Sequence, residues 1–151
     1  MASFIGCHKH SFDDKNRLMI PRRLRERLAP EREGAGFYIT RGLEKCLAMY
    51  TSEQWEKLEQ EMDMSREEFR NTDHRKFMRQ FYGNAEYVTM DRQGRILLTE
   101  SLKKFGELKR DVVIVGVGKR IEIWDAQRWN DFMKESADQY EDFASKALPS
   151  M

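Results

Sequence analysis

The sequence predicts a mixed α+β, β-rich fold built twice from one unit, and three observations carry that prediction. Asp13-Asp14-Lys15-Asn16-Arg17-Leu18-Met19-Ile20 is echoed by Asp91-Arg92-Gln93-Gly94-Arg95-Ile96-Leu97-Leu98 at a constant offset of 78 residues (91 − 13 and 95 − 17). After each copy come a short segment with apolar residues at helical spacing and then two branched-aliphatic runs joined by a glycine-containing turn. The agreement continues at an offset of 74 residues (129 − 55), where Trp129 matches Trp55 and Asp125 matches Thr51. Turn, strand and cap positions recurring together mark an internal duplication.

In the first unit an extended stretch from Phe4 to Phe12 enters a turn at Asp14 to Asn16, and Leu18-Met19-Ile20 leaves it as a strand. Pro21 suits the first turn of a helix, where a missing N–H costs nothing. Leu24 and Leu28, four apart, give that helix a buried face, and Pro30 with the Gly34 to Gly36 loop stops it. Phe37 to Thr40 and Cys46 to Tyr50 are strands joined near Gly42. Thr51 caps the next helix, with Gln54 placed to complete a capping box, and residues 52 to 62 carry Trp55, Leu58 and Met62 on one face. A second helical segment opens at Ser65, with Glu68 three positions on, and carries Phe69, Phe77 and Phe81. The second unit repeats the plan: strand Tyr87 to Met90, turn, strand Ile96 to Leu98, a short helix capped by Thr99 and ended by Gly106, then strands Val112 to Val115 and Ile121 to Trp124. One helical segment from Asp125 carries Trp129, Phe132, Met133, Tyr140 and Phe143 and fades at Ala147-Leu148-Pro149. These aromatics read as core or inter-subunit packing. The division expected is a first unit over 3–53, a helical connector over 54–82, a second unit over 83–126 and a C-terminal helix over 127–151.

Composition bounds the function. A chain of 151 residues, 40% hydrophobic and 35% charged, is large enough for a substantial core beneath a heavily charged surface. No stretch approaches the roughly 18 apolar residues that span a bilayer, and no signal core is evident, so the expectation is a cytoplasmic protein without membrane contact. Cys7 and Cys46 are too few for a disulfide scaffold and read as reduced, mostly packed thiols. A net charge of +1 argues against coating nucleic acid by bulk electrostatics, but the charge is unevenly placed. Lys9 to Arg27 holds seven Lys/Arg against three Asp/Glu, whereas Asp125 to Met151 holds three against six. The repeat region is basic and the tail acidic.

The repeated arginines are the residues best suited to chemistry. A guanidinium at a stiff turn can bond a guanine edge twice in the major groove, at about 1–3 kcal/mol of base discrimination. Asp13 and Asp91 are placed to hold Arg17 and Arg95 by a short salt link or to brace the turns through backbone amides. Lys15, Arg22, Arg23 and Arg25 cluster near the first turn, and Arg92, Lys103 and Lys104 near the second, as candidate phosphate contacts. Catalytic readings are thin. Cys7, His8 and His10 alternate along a strand, and no Cys-x-x-Cys, His-Glu-x-x-His, Gly-x-Ser-x-Gly or phosphate-loop spacing appears. No metal, cofactor or enzymatic activity is expected.

Phe4-Ile5-Gly6, His10 to Pro21 with Arg25, and Asp91 to Ile96 together resemble the MraZ family over nearly the whole chain. The resemblance implies two SpoVT-AbrB-type domains, that is, a duplicated swapped-hairpin AbrB-type β-barrel with connecting and C-terminal helices. It also implies assembly into a ring-shaped homo-oligomer, octamer-like or larger. The implied function is sequence-specific, nucleoid-associated transcriptional regulation of the bacterial division and cell wall gene cluster, by binding double-stranded DNA at direct repeats upstream of the chain's own operon. The family motif falls on Asp13, Arg17, Asp91 and Arg95, with Lys15 as an adjunct. Gln93 takes the lysine's place in the second turn. Asn16 stands where the family favours glycine, and asparagine tolerates the positive φ such a turn needs. The alternative is an AbrB-type antitoxin-like or scaffolding protein whose main partner is another protein.

Overall fold

A computed structural model describes residues 3–28, 36–62 and 70–148. The helix stop expected at Pro30 and Gly34, the helix start expected at Ser65 with Glu68 and Phe69, and Pro149 lie outside them. In chain order the elements are β1 (Cys7–Ser11), β2 (Arg17–Met19), α1 (Arg22–Arg25), β3 (Gly36–Arg41), β4 (Leu47–Tyr50), α2 (Ser52–Glu61), α3 (Thr72–Gly83), β5 (Glu86–Thr89), β6 (Arg95–Leu97), α4 (Glu100–Phe105), β7 (Asp111–Gly116), β8 (Ile121–Asp125), α5 (Ala126–Ser136) and α6 (Tyr140–Ala147).

Six strands form one antiparallel sheet in the order β1-β7-β8-β4-β3-β5, and β2 pairs with β6 in a separate ribbon. Exchanging the two halves and reversing that order returns the same order, so the duplication is expressed as an approximate two-fold relation. The first strand of each half pairs with the third strand of the other: β1 with β7 (His8 opposite Ile114) and β5 with β3 (Val88 opposite Phe37). Neither half owns its sheet. The ribbon packs on one face of the sheet without a strand ladder between the two, so the expected barrel takes the form of two apposed layers and is not closed.

The period-2 alternation of the strands divides the core in two. Phe37, Ile39, Leu47, Met49, Val112, Ile114, Ile121 and Ile123 point to the ribbon side, where they meet Leu18, Ile20, Ile96 and Leu98 and the helical Leu24 and Leu102. Cys46, Val113, Val115 and Trp124 pack together on the opposite side beneath Trp129 and Phe132 of α5. Burial pushes the Cys46 thiol up to about 12, and its Sγ donates to the Leu43 carbonyl. Cys7, by contrast, is exposed on an edge strand instead of packed. Over the first half, Trp55 of α2 lies between Tyr38 and Phe81, at centroid distances of 4.9 and 5.4 Å. The Thr40 hydroxyl donates to the Phe81 carbonyl and so fastens α3 to the sheet.

The expected caps are present. Thr51 and Gln54 form the capping box, Thr99 accepts from the Leu102 amide, and Asp125 accepts from the Arg128 amide. Asn71, which the sequence reading did not single out, caps α3. The single C-terminal helix is corrected to two: a 3₁₀ turn at Ala137–Gln139 separates α5 from α6, and Tyr140 and Phe143 are exposed beyond it. None of the described helices is long and apolar enough to cross a membrane.

Candidate nucleic-acid interface

Each repeated phrase folds into the same turn, bond for bond. In the first, the Asn16 amide donates to the Asp13 carbonyl, closing a four-residue turn, and the Asp13 amide donates to the Arg17 carbonyl. Asp13 Oδ1 accepts from the Lys15 and Arg17 amides, both at 2.9 Å, while Oδ2 accepts from Arg17 Nε at 2.7 Å. In the second, Gly94 and Asp91 make the corresponding backbone bonds, Asp91 Oδ1 accepts from the Gln93 and Arg95 amides, and Oδ2 accepts from Arg95 Nε at 2.9 Å. The two roles weighed for the aspartates from sequence are therefore filled together: one carboxylate oxygen organises the turn and the other aims the arginine. Asn16 adopts φ +60° and Gly94 φ +85°, so the asparagine does sustain the left-handed conformation.

The backbone amide of the following arginine is the main reason that each of the two carboxyls is held below the ordinary aspartate range, with the guanidinium adding to it. A depressed native pKa means that the stabilisation is present above the unfolded value and disappears as pH falls through the native one. Melting temperature is therefore expected to be insensitive to Asp13 and Asp91 between neutrality and about pH 4 and to fall below it. Asp13→Asn with Asp91→Asn should flatten that acid limb. A thermal-melt series in which the double variant retains the full acid dependence would count against this assignment.

Pairing of β2 with β6 brings the turns together, with Arg17 opposite Leu97 and Met19 opposite Arg95. Leu18 and Ile96 point into the core, which leaves Arg17, Met19, Arg95 and Leu97 on the outer face of the ribbon. The arginine side chains keep 32% and 26% of their surface, and Arg95 Nη1 lies 3.7 Å from Asp13 Oδ2 of the other turn. Two forks thus stand diagonally on one stiff platform, open to a large partner.

Of the surrounding bases, Lys15, Arg22, Arg23, Arg92 and Lys104 are exposed, with Arg22 paired to Glu26 at 3.0 Å. Two others sit where the sequence reading did not put them. Arg25, grouped with the first turn, donates to the Ile20 carbonyl and lies over Gly94 of the second, where an added Cβ would fall 2.6 Å from its guanidinium carbon. Lys103, grouped with the second turn, donates to Asn16 Oδ1 at 2.8 Å in the first and sits 4.6 Å from the centre of the Phe12 ring. Asn16 Nδ2 in turn donates to Glu100. Strand exchange causes the crossing: each short helix follows a ribbon strand that ends beside the opposite turn. The signal was available, since Arg25 and Lys103 are also related by the 78-residue offset (103 − 25). It explains both turn residues, because glycine makes room for Arg25 and asparagine supplies Lys103 with an acceptor.

The family model described as "MraZ protein, putative antitoxin-like" matches residues 3–80 and again residues 81–148. A curated relative named "Transcriptional regulator MraZ", from Moorella thermoacetica, is 43% identical over 145 residues, which is 96% of this chain and 96% of the relative.

Proposed function

The chain belongs to the MraZ family, and from that premise we propose that it is a DNA-binding transcriptional regulator that reads promoter repeats through its paired arginine turns. The observation that carries this reading is the ribbon itself, on which two Asp-braced guanidinium groups project from adjoining turns with a basic surround. Rigid presentation matters because a fork aimed in advance loses less freedom on binding a base edge. Lys15, Arg22 and Arg23 supply phosphate contacts, which add affinity without sequence information.

One ribbon makes a small footprint. A ring of such chains, facing direct repeats upstream of the chain's own operon in the division and cell wall cluster, converts later contacts into intramolecular ones and compensates for a net charge of only +1. The acidic C-terminal segment lies away from DNA in this arrangement, and the protein resides in the cytoplasm on the nucleoid.

Nuclease footprinting of the region upstream of the chain's own gene tests the reading. Protection at evenly spaced repeats is expected, with log affinity falling against log salt at a slope of about −0.9 for each phosphate neutralised. Absence of protection, together with retention of a specific protein partner, would favour the antitoxin-like alternative.

A further inference from the structure

The two turns are built alike, but their guanidinium groups are not equally occupied. Arg17 spends Nε on Asp13, and among the described residues nothing takes its two terminal nitrogens. Arg95 has a partner near each of its three nitrogens: Nε donates to Asp91 Oδ2 at 2.9 Å, Nη2 donates to Gln93 Oε1 at 3.3 Å, and Nη1 forms a looser ion pair with Asp13 Oδ2 at 3.7 Å. The asymmetry starts at one matched position, where Lys15 in the first turn corresponds to Gln93 in the second. An ammonium has no acceptor to offer a neighbouring arginine, whereas an amide oxygen does. Each contact to Arg95 is modest. Each terminal nitrogen keeps a further N–H, so these contacts do not exhaust the donors; together they hold the guanidinium toward its own platform, away from the free presentation that a two-bond contact with guanine requires.

The platform beneath the first turn is also the firmer of the two. Both turns are tied to the other half through a backbone carbonyl, Asn16 to the Leu98 amide and Gly94 to the Ile20 amide, but Asn16 adds side-chain bonds to Lys103 and Glu100, whereas Gly94 has no side chain to bond and is covered by Arg25. A reading group gains most where its support is fixed from several sides.

We propose that the two arginine turns have unequal tasks: Arg17 reads the base edge, while Arg95, tethered by Gln93 and Asp13, acts as a positioning residue that steadies the Asp13–Arg17 pair and adds positive charge toward the backbone. This rests on the DNA-binding reading above. Each protomer then specifies one principal base contact, and the paired turn sets its geometry.

The test is the base preference of the full-length assembled protein on a pool of randomised duplexes, for the parent, Arg17→Lys, Arg95→Lys and Gln93→Ala, with assembly size verified for each. Lysine keeps the charge and removes the fork. Arg17→Lys is expected to flatten the strongest base preference by about 5- to 150-fold. Arg95→Lys should keep the parental preference profile while binding more weakly to every sequence. Gln93→Ala, which releases Arg95, should add a second preferred position. If Arg95→Lys flattens the profile as much as Arg17→Lys does, the inequality is overturned and DNA reading stands. If the parent has no base preference at all, the DNA-reading premise falls and the proposal with it. A Gln93→Ala profile identical to the parent's overturns the tether.

Discussion

Arg17→Ala is expected to abolish the specific band shift on the chain's own upstream repeats while leaving the assembly unchanged in size. Among the described residues the side chain bonds Asp13 alone and takes no part in either buried cluster, so its removal leaves the core intact. The Asp13 carboxylate still accepts the Lys15 and Arg17 amides, which preserves the turn. On the proposed DNA-reading function, the variant loses a bidentate contact of about 1–3 kcal/mol at each repeat, and with successive repeats engaged by one assembly the losses would compound along the array. Gel shift against size-exclusion chromatography separates the two consequences. A variant that shifts the repeats as well as the parent would remove the arginine from the mechanism.

Leu18→Ala should act through the opposite face of the same ribbon. Leu18 is fully buried, pairs in register with Ile96, and stands between Arg17 and Met19. Truncating a fully buried leucine costs about 2–5 kcal/mol, the spread depending on how far the neighbours close the cavity. Urea unfolding should show a lowered midpoint with an unchanged slope, their product giving a loss of that order. DNA binding should weaken as well, because the ribbon that aims both arginines loses its seat. A loss of stability below about 0.5 kcal/mol, the size of an ordinary surface substitution, would mean that the ribbon does not depend on this packing. The pair of variants is diagnostic: one residue carries recognition with no part in the core, and its chain neighbour carries both.

Much of the local structure was legible because it is governed by interactions within four residues. Asp13 and Asp91 announce their turns through side-chain bonds to amides two and four positions on. Thr51, Thr99 and Asp125 announce helix starts for the same short-range reason. The strands of the hydrophobic runs appear where branched residues cluster, within a residue or two at their ends. The C-terminal segment reads as one helix because the acidic and aromatic pattern from Asp125 onward remains helical in period through Ala137–Gln139, where the structure narrows to a 3₁₀ turn between two helices. In sequence Arg25 and Lys103 stand nearest their own half's turn, whereas in space Arg25 covers Gly94 and Lys103 bonds Asn16, each in the other half.

By itself the amino-acid order determined the duplicated plan, the two Asp-x-x-x-Arg turns, the capping residues and the uneven distribution of charge. Only the tertiary structure decided that β1 and β5 exchange partners between halves, that β2 and β6 bring the two arginines onto one face, and that Gln93 accepts a bond from one of them. The reason is one of range. A turn or a cap is closed by neighbours along the chain, whereas strand partnership is chosen by burial of two alternating faces across a whole sheet, which a local period cannot specify.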